Sequence, residues 1–243
     1  MGTFLNVQFS IFTNHRIAPT ASNVTTLMGK INDLKKFEFL PNVVSTQNID
    51  LGSGQLNAVS NLVFITASNQ SQIMCMDNRI DCVFNFDPSC DDTLETSISF
   101  CKKVLNIIMQ EYSILGNRLA INVNKISSAL PENFKETHFG KKLIVCLDYY
   151  EQKNLVEWST RYNTRTQVEI SNKNEVLNVI TDLTLAKDMQ NESKKILCHL
   201  DINTVPENQA YRFSCEDLEA FMKESIKVIT PIINDFERLD ACG

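Results

Sequence analysis

The chain uses one pattern twice, and that pattern limits its possible folds more than any other feature. An alternating apolar stretch runs into Ser-Cys-acid-Asp and then into a long amphipathic segment. The first copy reads Ile80 to Phe86, then Ser89-Cys90-Asp91-Asp92, then a helical run to Tyr112. The second reads Tyr211-Arg212-Phe213, then Ser214-Cys215-Glu216-Asp217, then a run to Phe236. Leu94, Ile98, Cys101, Leu105, Ile108 and Tyr112 recur at steps of three and four, as do Leu218, Met222, Ile226, Ile229, Ile233 and Phe236. That spacing gathers apolar side chains on one face of a helix. The expected helices span 91–114 and 214–237. Ser89 and Ser214 are the expected N-caps, with Asp92 and Asp217 completing approximate capping boxes. Gly116 is expected to end the first helix in the left-handed conformation. Pro231, which has no N–H, is expected to kink or shorten the second.

Strand-like alternation accounts for much of the rest. Residues 4–12, 62–67, 118–126, 143–149 and 195–205 read as strands; 176–186 fits helical or strand spacing, and the strand is preferred because Leu177, Val179, Leu183 and Leu185 then share a face. Residues 73–76 and 80–86 read as a hairpin about Asp77-Asn78, and 156–162 pairs with 164–170 as another. Residues 22–37 read as a helix, and 41–56 as a polar stretch with short strands. The economical architecture is α+β: one large curved antiparallel sheet with amphipathic helices packed on one face. Two similar halves are expected, 1–130 and 141–243, meeting at the polar connection 130–140. Regular strand–helix alternation is missing, which excludes a parallel doubly wound nucleotide fold.

A chain of 243 residues can bury a substantial core. Its net charge of −6 supplies no electrostatic drive toward duplex nucleic acid. The eight cysteines are scattered with no Cys-x-x-Cys pair, so neither a zinc site nor a disulfide framework is indicated, and no cofactor is implied. No apolar run approaches the ~20 residues that span a bilayer. The N-terminal residues do not read as a secretory leader, so a reducing cytoplasm is the expected location.

The phrase Ile196-Leu197-Cys198-His199-Leu200-Asp201-Ile202, set before a closing amphipathic helix, resembles a sporadically distributed, uncharacterised prokaryotic family of about this length. The resemblance covers residues 60–240 and rests on structural motifs. It implies a bacterial or phage-borne intracellular protein, accessory to defence or mobile elements. It brings no assigned activity and no catalytic residue. The two-fold layout is also similar, by analogy alone, to the saddle sheets of TATA-binding-like proteins and to helix-grip folds.

Two groups stand out as candidate sites. His199 and Asp201 stand two apart on one strand face, where they could hold a metal or exchange protons; a hydrogen-bonded structural pair has the same spacing. Trp158, Arg161, Tyr162 and Arg165 interleave aromatics with cations, as surfaces that stack bases or anchor proteins do; a plain sheet edge reads the same way. Asp148, Glu151, Glu157 and Glu169 match no metal pattern, and His15 and His138 fall in loops. With seven glycines, the chain has little material for a phosphate loop. The leading expectation is a non-enzymatic protein that binds a partner or itself through the sheet. A metal-dependent hydrolase or nuclease around His199 and Asp201 is the second reading. An apolar small-molecule binder, with ligand held between sheet and helix, is the third.

Overall fold

The structure, a computed structural model, describes residues 2–49, 56–132, 134, 140, 156–187 and 192–241. Among the described residues nine strands form one antiparallel sheet: β1 (Thr3–Phe12), β2 (Phe39–Ile49), β3 (Leu56–Thr66), β4 (Ser71–Cys75), β5 (Arg79–Asn85), β6 (Arg118–Ile126), β7 (Ser159–Ile170), β8 (Lys173–Lys187) and β9 (Lys194–Thr204). Their order is β2-β3-β4-β5-β1-β6-β9-β8-β7, and the sheet is not closed into a barrel. Three helices occur among the described residues: α1 (Ala21–Asn32), α2 (Leu94–Tyr112) and α3 (Asp217–Ala241). α1 packs on α2, and α2 on α3, so all three lie in one layer. The fold is α+β, as the alternating sequence predicts.

The core lies between that layer and the sheet. Val7, Phe9 and Ile11 of β1, Ile121 and Val123 of β6, and Cys198, Leu200 and Ile202 of β9 are all fully buried. Each set has the period of two that points side chains to one face of a strand. Against them α2 turns Ile98, Cys101, Leu105 and Ile108, and α3 turns Leu218, Phe221, Ile229 and Phe236. The Phe9 and Phe221 rings meet 5.6 Å apart. A second aromatic group, Phe37, Phe39, Phe84 and Phe100, seals the β2 side of the layer.

The two copies of the repeated pattern differ in detail. The first helix begins at Leu94 rather than 91 and ends at Tyr112 rather than 114. Its N-cap is Thr93, not Ser89: Thr93 Oγ1 accepts from Thr96 N, and Thr96 Oγ1 accepts from Thr93 N. Ser89 instead donates to Asp87 Oδ1 at 2.7 Å, inside a turn that precedes the helix. In the second copy half of the box is present: Asp217 Oδ2 accepts from Ser214 N at 2.7 Å, but Asp217 N donates to the Ser214 carbonyl rather than its hydroxyl, and Ser214 Oγ itself donates to Asp217 Oδ2, so Ser214 is not the expected N-cap. Tyr211-Arg212-Phe213 is not a strand; Phe213 makes only an isolated bridge to Gly116. The closing helix runs from 217 to 241 rather than 214 to 237. Pro231 does not stop it, because Pro231 is exposed and the carbonyl it leaves without a donor can turn to water.

Gly116 is not the left-handed cap. Ser113 takes that conformation at φ 50°, with its N–H directed to Gln110 O. Gly116 is required for space instead: a Cβ there would stand 2.6 Å from Ile11 Cγ1 and 3.3 Å from Phe12 O. Residues 159–170 form one continuous strand, not a hairpin. Its partner is β8, and Ser171 and Asn172 make the two-residue turn, both with positive φ. The stretch 41–56, read as polar, contributes most of β2, which pairs with β3 along its full length from Phe39↔Thr66 to Ile49↔Leu56. α1 stops at Asn32, short of 37. The expected strand at 143–149 and the loop residue His138 lie outside the described residues.

Candidate functional site

Alternation along each strand sends every second side chain to the face opposite the helices. On β1 these are Asn6, Gln8 and Ser10; on β6 Asn122 and Asn124; on β9 His199, Asp201 and Asn203; on β8 Asn178 and Asp182. The register lines them up. Asn6 faces Asn124, Asn124 faces His199, His199 faces Asp182, and Asp182 faces Arg161 of β7. Asn124 Nδ2 donates to Asn6 Oδ1 at 2.8 Å, and Asn124 Oδ1 lies 2.8 Å from His199 Nδ1. With the amide in that orientation, Nδ1 carries the imidazole hydrogen and donates it. Arg161 Nη1 donates to Asp182 Oδ2 at 3.1 Å.

The structure places His199 and Asp201 on the same face, but each is held by a different amide. Asp201 Oδ1 accepts from Asn203 Nδ2 at 2.9 Å, while His199 is bound to Asn124. Among the described residues no group of three His, Cys, Asp or Glu side chains could hold a metal ion. The β7 group separates. Arg161 and Arg165 share the open face and are tied to Asp182 and Glu207. Tyr162, one residue from Arg161, points to the helix side, and Trp158 packs against the core. Neighbouring residues of a strand cannot share a face, so these aromatics and arginines do not form one stacking surface.

Asp81 is fully buried on the open face beside Ser10. Burial pushes its carboxyl above the usual range; Ser10, Arg79 and Gln8 oppose the rise without cancelling it. Arg79 Nε stands 2.9 Å from Asp81 Oδ2 as a charge contact rather than an aligned hydrogen bond. The buried thiols Cys75 and Cys198 are each pushed up to about 12 by desolvation, which keeps them as thiols and makes them small apolar core groups. Cys146 and Cys242 lie outside the described residues. Between sheet and α3, where a ligand of helix-grip type would sit, Phe9, Phe213 and Phe221 fill the space and have no exposure.

The surface that sequence reasoning missed is the β2 end of the sheet. β2 is terminal among the described strands. Leu40, Val43 and Val44 are 53%, 51% and 42% exposed. Phe39 is in the core, so Val43 lies on the helix side, and Leu40 and Val44 lie on the other. The signal was present: Phe39 to Ile49 contains no Asp, Glu, Lys or Arg. The opposite terminal strand, β7, carries Arg161, Arg165 and Glu169. Charges and prolines on terminal strands are the usual guard against edge-to-edge pairing. On β2 that guard is confined to its start, where Pro41 has no N–H and Val43 N donates to Asn42 Oδ1 at 2.8 Å. No helix among the described residues is long and apolar enough to cross a membrane. No family model matches the chain, and no curated protein matches it.

Proposed function

We propose that the chain is a non-enzymatic binding protein that associates with a second copy of itself through β2. The carrying observation is the exposure of Leu40, Val43 and Val44 on a charge-free terminal strand. These side chains project from both faces of the sheet. An occupant that covers all three must come at the edge, as an added strand does. A second copy fits the charge. Each chain has a net −6, and two copies repel least where neither carries ionised groups. An antiparallel strand can pair with its own copy about a two-fold axis, which closes the assembly at two chains. The role is accessory or regulatory, in the cytoplasm of a bacterium or phage-infected cell, in keeping with the resemblance in the β9 phrase.

Light scattering on the pure chain over a rising concentration series tests the proposal. A mass moving from one chain to two supports it. A single-chain mass throughout removes self-association, and if candidate partners encoded beside it are not captured either, the binding role goes with it. A metal-dependent activity lost in His199→Ala would favour the hydrolase reading instead.

A further inference from the structure

We infer that a small cavity at Arg118 is a binding site for a monocarboxylate. The chain has seven arginines, and six are paired with a carboxylate: Arg16 with Asp77, Arg79 with Asp81, Arg161 with Asp182, Arg165 with Glu207, Arg212 with Glu175 and Arg238 with Asp235. Arg118 is the exception. Among the described residues no acid pairs with it, and its Nε is buried without a hydrogen-bond partner. Its guanidinium carbon lies over the face of the Phe12 ring, 4.7 Å from the centroid.

The cavity has a volume of about 210 Å³, and Arg118 lines it with Phe12, Asn117, Asn208, Gln209 and Tyr211. Among the described residues no acid lines it, and Arg118 is the one cation that does. The walls are fixed by the fold. Gly116 and Phe213 exchange backbone hydrogen bonds at 2.8 and 2.9 Å. Arg212 Nη1 donates to the carbonyls of Asn117, Asn208 and Ala210, which pins the 206–211 loop over the end of β6. Asn117 N donates to Phe12 O at 2.9 Å, and Thr13 N donates to Asn78 O at 3.0 Å.

The chemistry of the walls selects the ligand. A guanidinium offers a planar fork that matches a carboxylate with two parallel hydrogen bonds. One cation in a chain of net charge −6 balances one negative charge, which favours a monocarboxylate over a phosphate dianion. The space corresponds to roughly seven waters at ~30 Å³ each, enough for an acid of a few carbons. The amides and the Tyr211 hydroxyl suit a hydroxyl or keto group, and the Phe12 ring suits the carbon chain.

Titration of the intact protein with acetate, lactate, pyruvate and inorganic phosphate tests the assignment, read by calorimetry and by NMR shifts. At least one of the three carboxylates is expected to bind saturably, to shift the signals of Arg118 Nε–H and the Asn117 and Asn208 amides, and to outcompete phosphate. Arg118→Gln should weaken that binding roughly tenfold or more. The wild-type shift map locates the site even if this variant folds poorly. Absence of saturable carboxylate binding, shifts confined to other residues, tighter binding of phosphate, or full affinity in folded Arg118→Gln would each overturn it.

Discussion

Arg212 grips Glu175 with both prongs of its guanidinium: Nε donates to Oε1 at 2.6 Å and Nη2 donates to Oε2 at 2.8 Å. The pair is almost out of water, with side chains 13% and 6% exposed. It joins β8 to the segment leading into α3, and the same guanidinium holds the 206–211 loop. Breaking a buried pair leaves the other charge stranded, which costs about 3–5 kcal/mol. Arg212→Ala should therefore lower stability by about that much in urea unfolding. A loss under about 1 kcal/mol would show that the pair is not desolvated as described.

The start of α2 separates two neighbouring hydroxyls. Thr93 and Thr96 satisfy each other's backbone N–H groups, whereas Ser89 bonds only within its own turn. Thr93→Ala should cost about 1 kcal/mol. Ser89→Ala should leave the unfolding midpoint where it is. The reverse ranking in matched denaturation curves would move the helix start back to the Ser-Cys-acid-Asp segment.

Two buried aspartates pull the pH dependence in opposite directions. Burial pushes the Asp217 carboxyl up, but hydrogen bonds from Lys173, Ser214 and Ser171 outweigh it and hold it below the ordinary range. A carboxyl depressed by folding stabilises the fold above its unfolded value, and that contribution fades as pH falls through the lowered one. Asp81 is raised, so its ionisation opposes folding, and its contribution worsens as pH climbs from the ordinary value through the raised one. Unfolding curves from about pH 3 to about pH 7 distinguish the two. Asp217→Asn should lose most stability near neutrality and least in acid. Asp81→Asn should gain on the wild type as pH rises. Parallel curves for wild type and either variant would contradict the corresponding assignment.

Most of the fold was legible because a half-buried strand announces itself. β6 and β9 alternate cleanly, with Leu119, Ile121 and Val123, and Ile196, Cys198, Leu200 and Ile202, all buried. β2 was not legible because Pro41, Asn42 and Asn48 break the pattern, and its pairing comes from the β3 ladder rather than from local preference. At the end of α2 the expected cap, Gly116, is displaced by Ser113, and Gly116 is needed instead because Ile11 presses against it. At the candidate sites, the shared face of His199 and Asp201 followed from their spacing. The separation of Arg161 from Tyr162 followed from the same rule. The isolation of Arg118 could not be read from sequence, since it depends on which distant acids the sheet brings near each arginine.

The self-association at β2 is tested most directly by sedimentation of the wild type beside Val44→Lys. Val44 is exposed, so the lysine has no core to disturb. It places a charge on the strand that otherwise has none. The wild type is expected to sediment at twice 27.6 kDa and Val44→Lys at 27.6 kDa, with unchanged circular dichroism. A wild type that stays at 27.6 kDa at every concentration, or a Val44→Lys protein that pairs as well as the wild type, would contradict it.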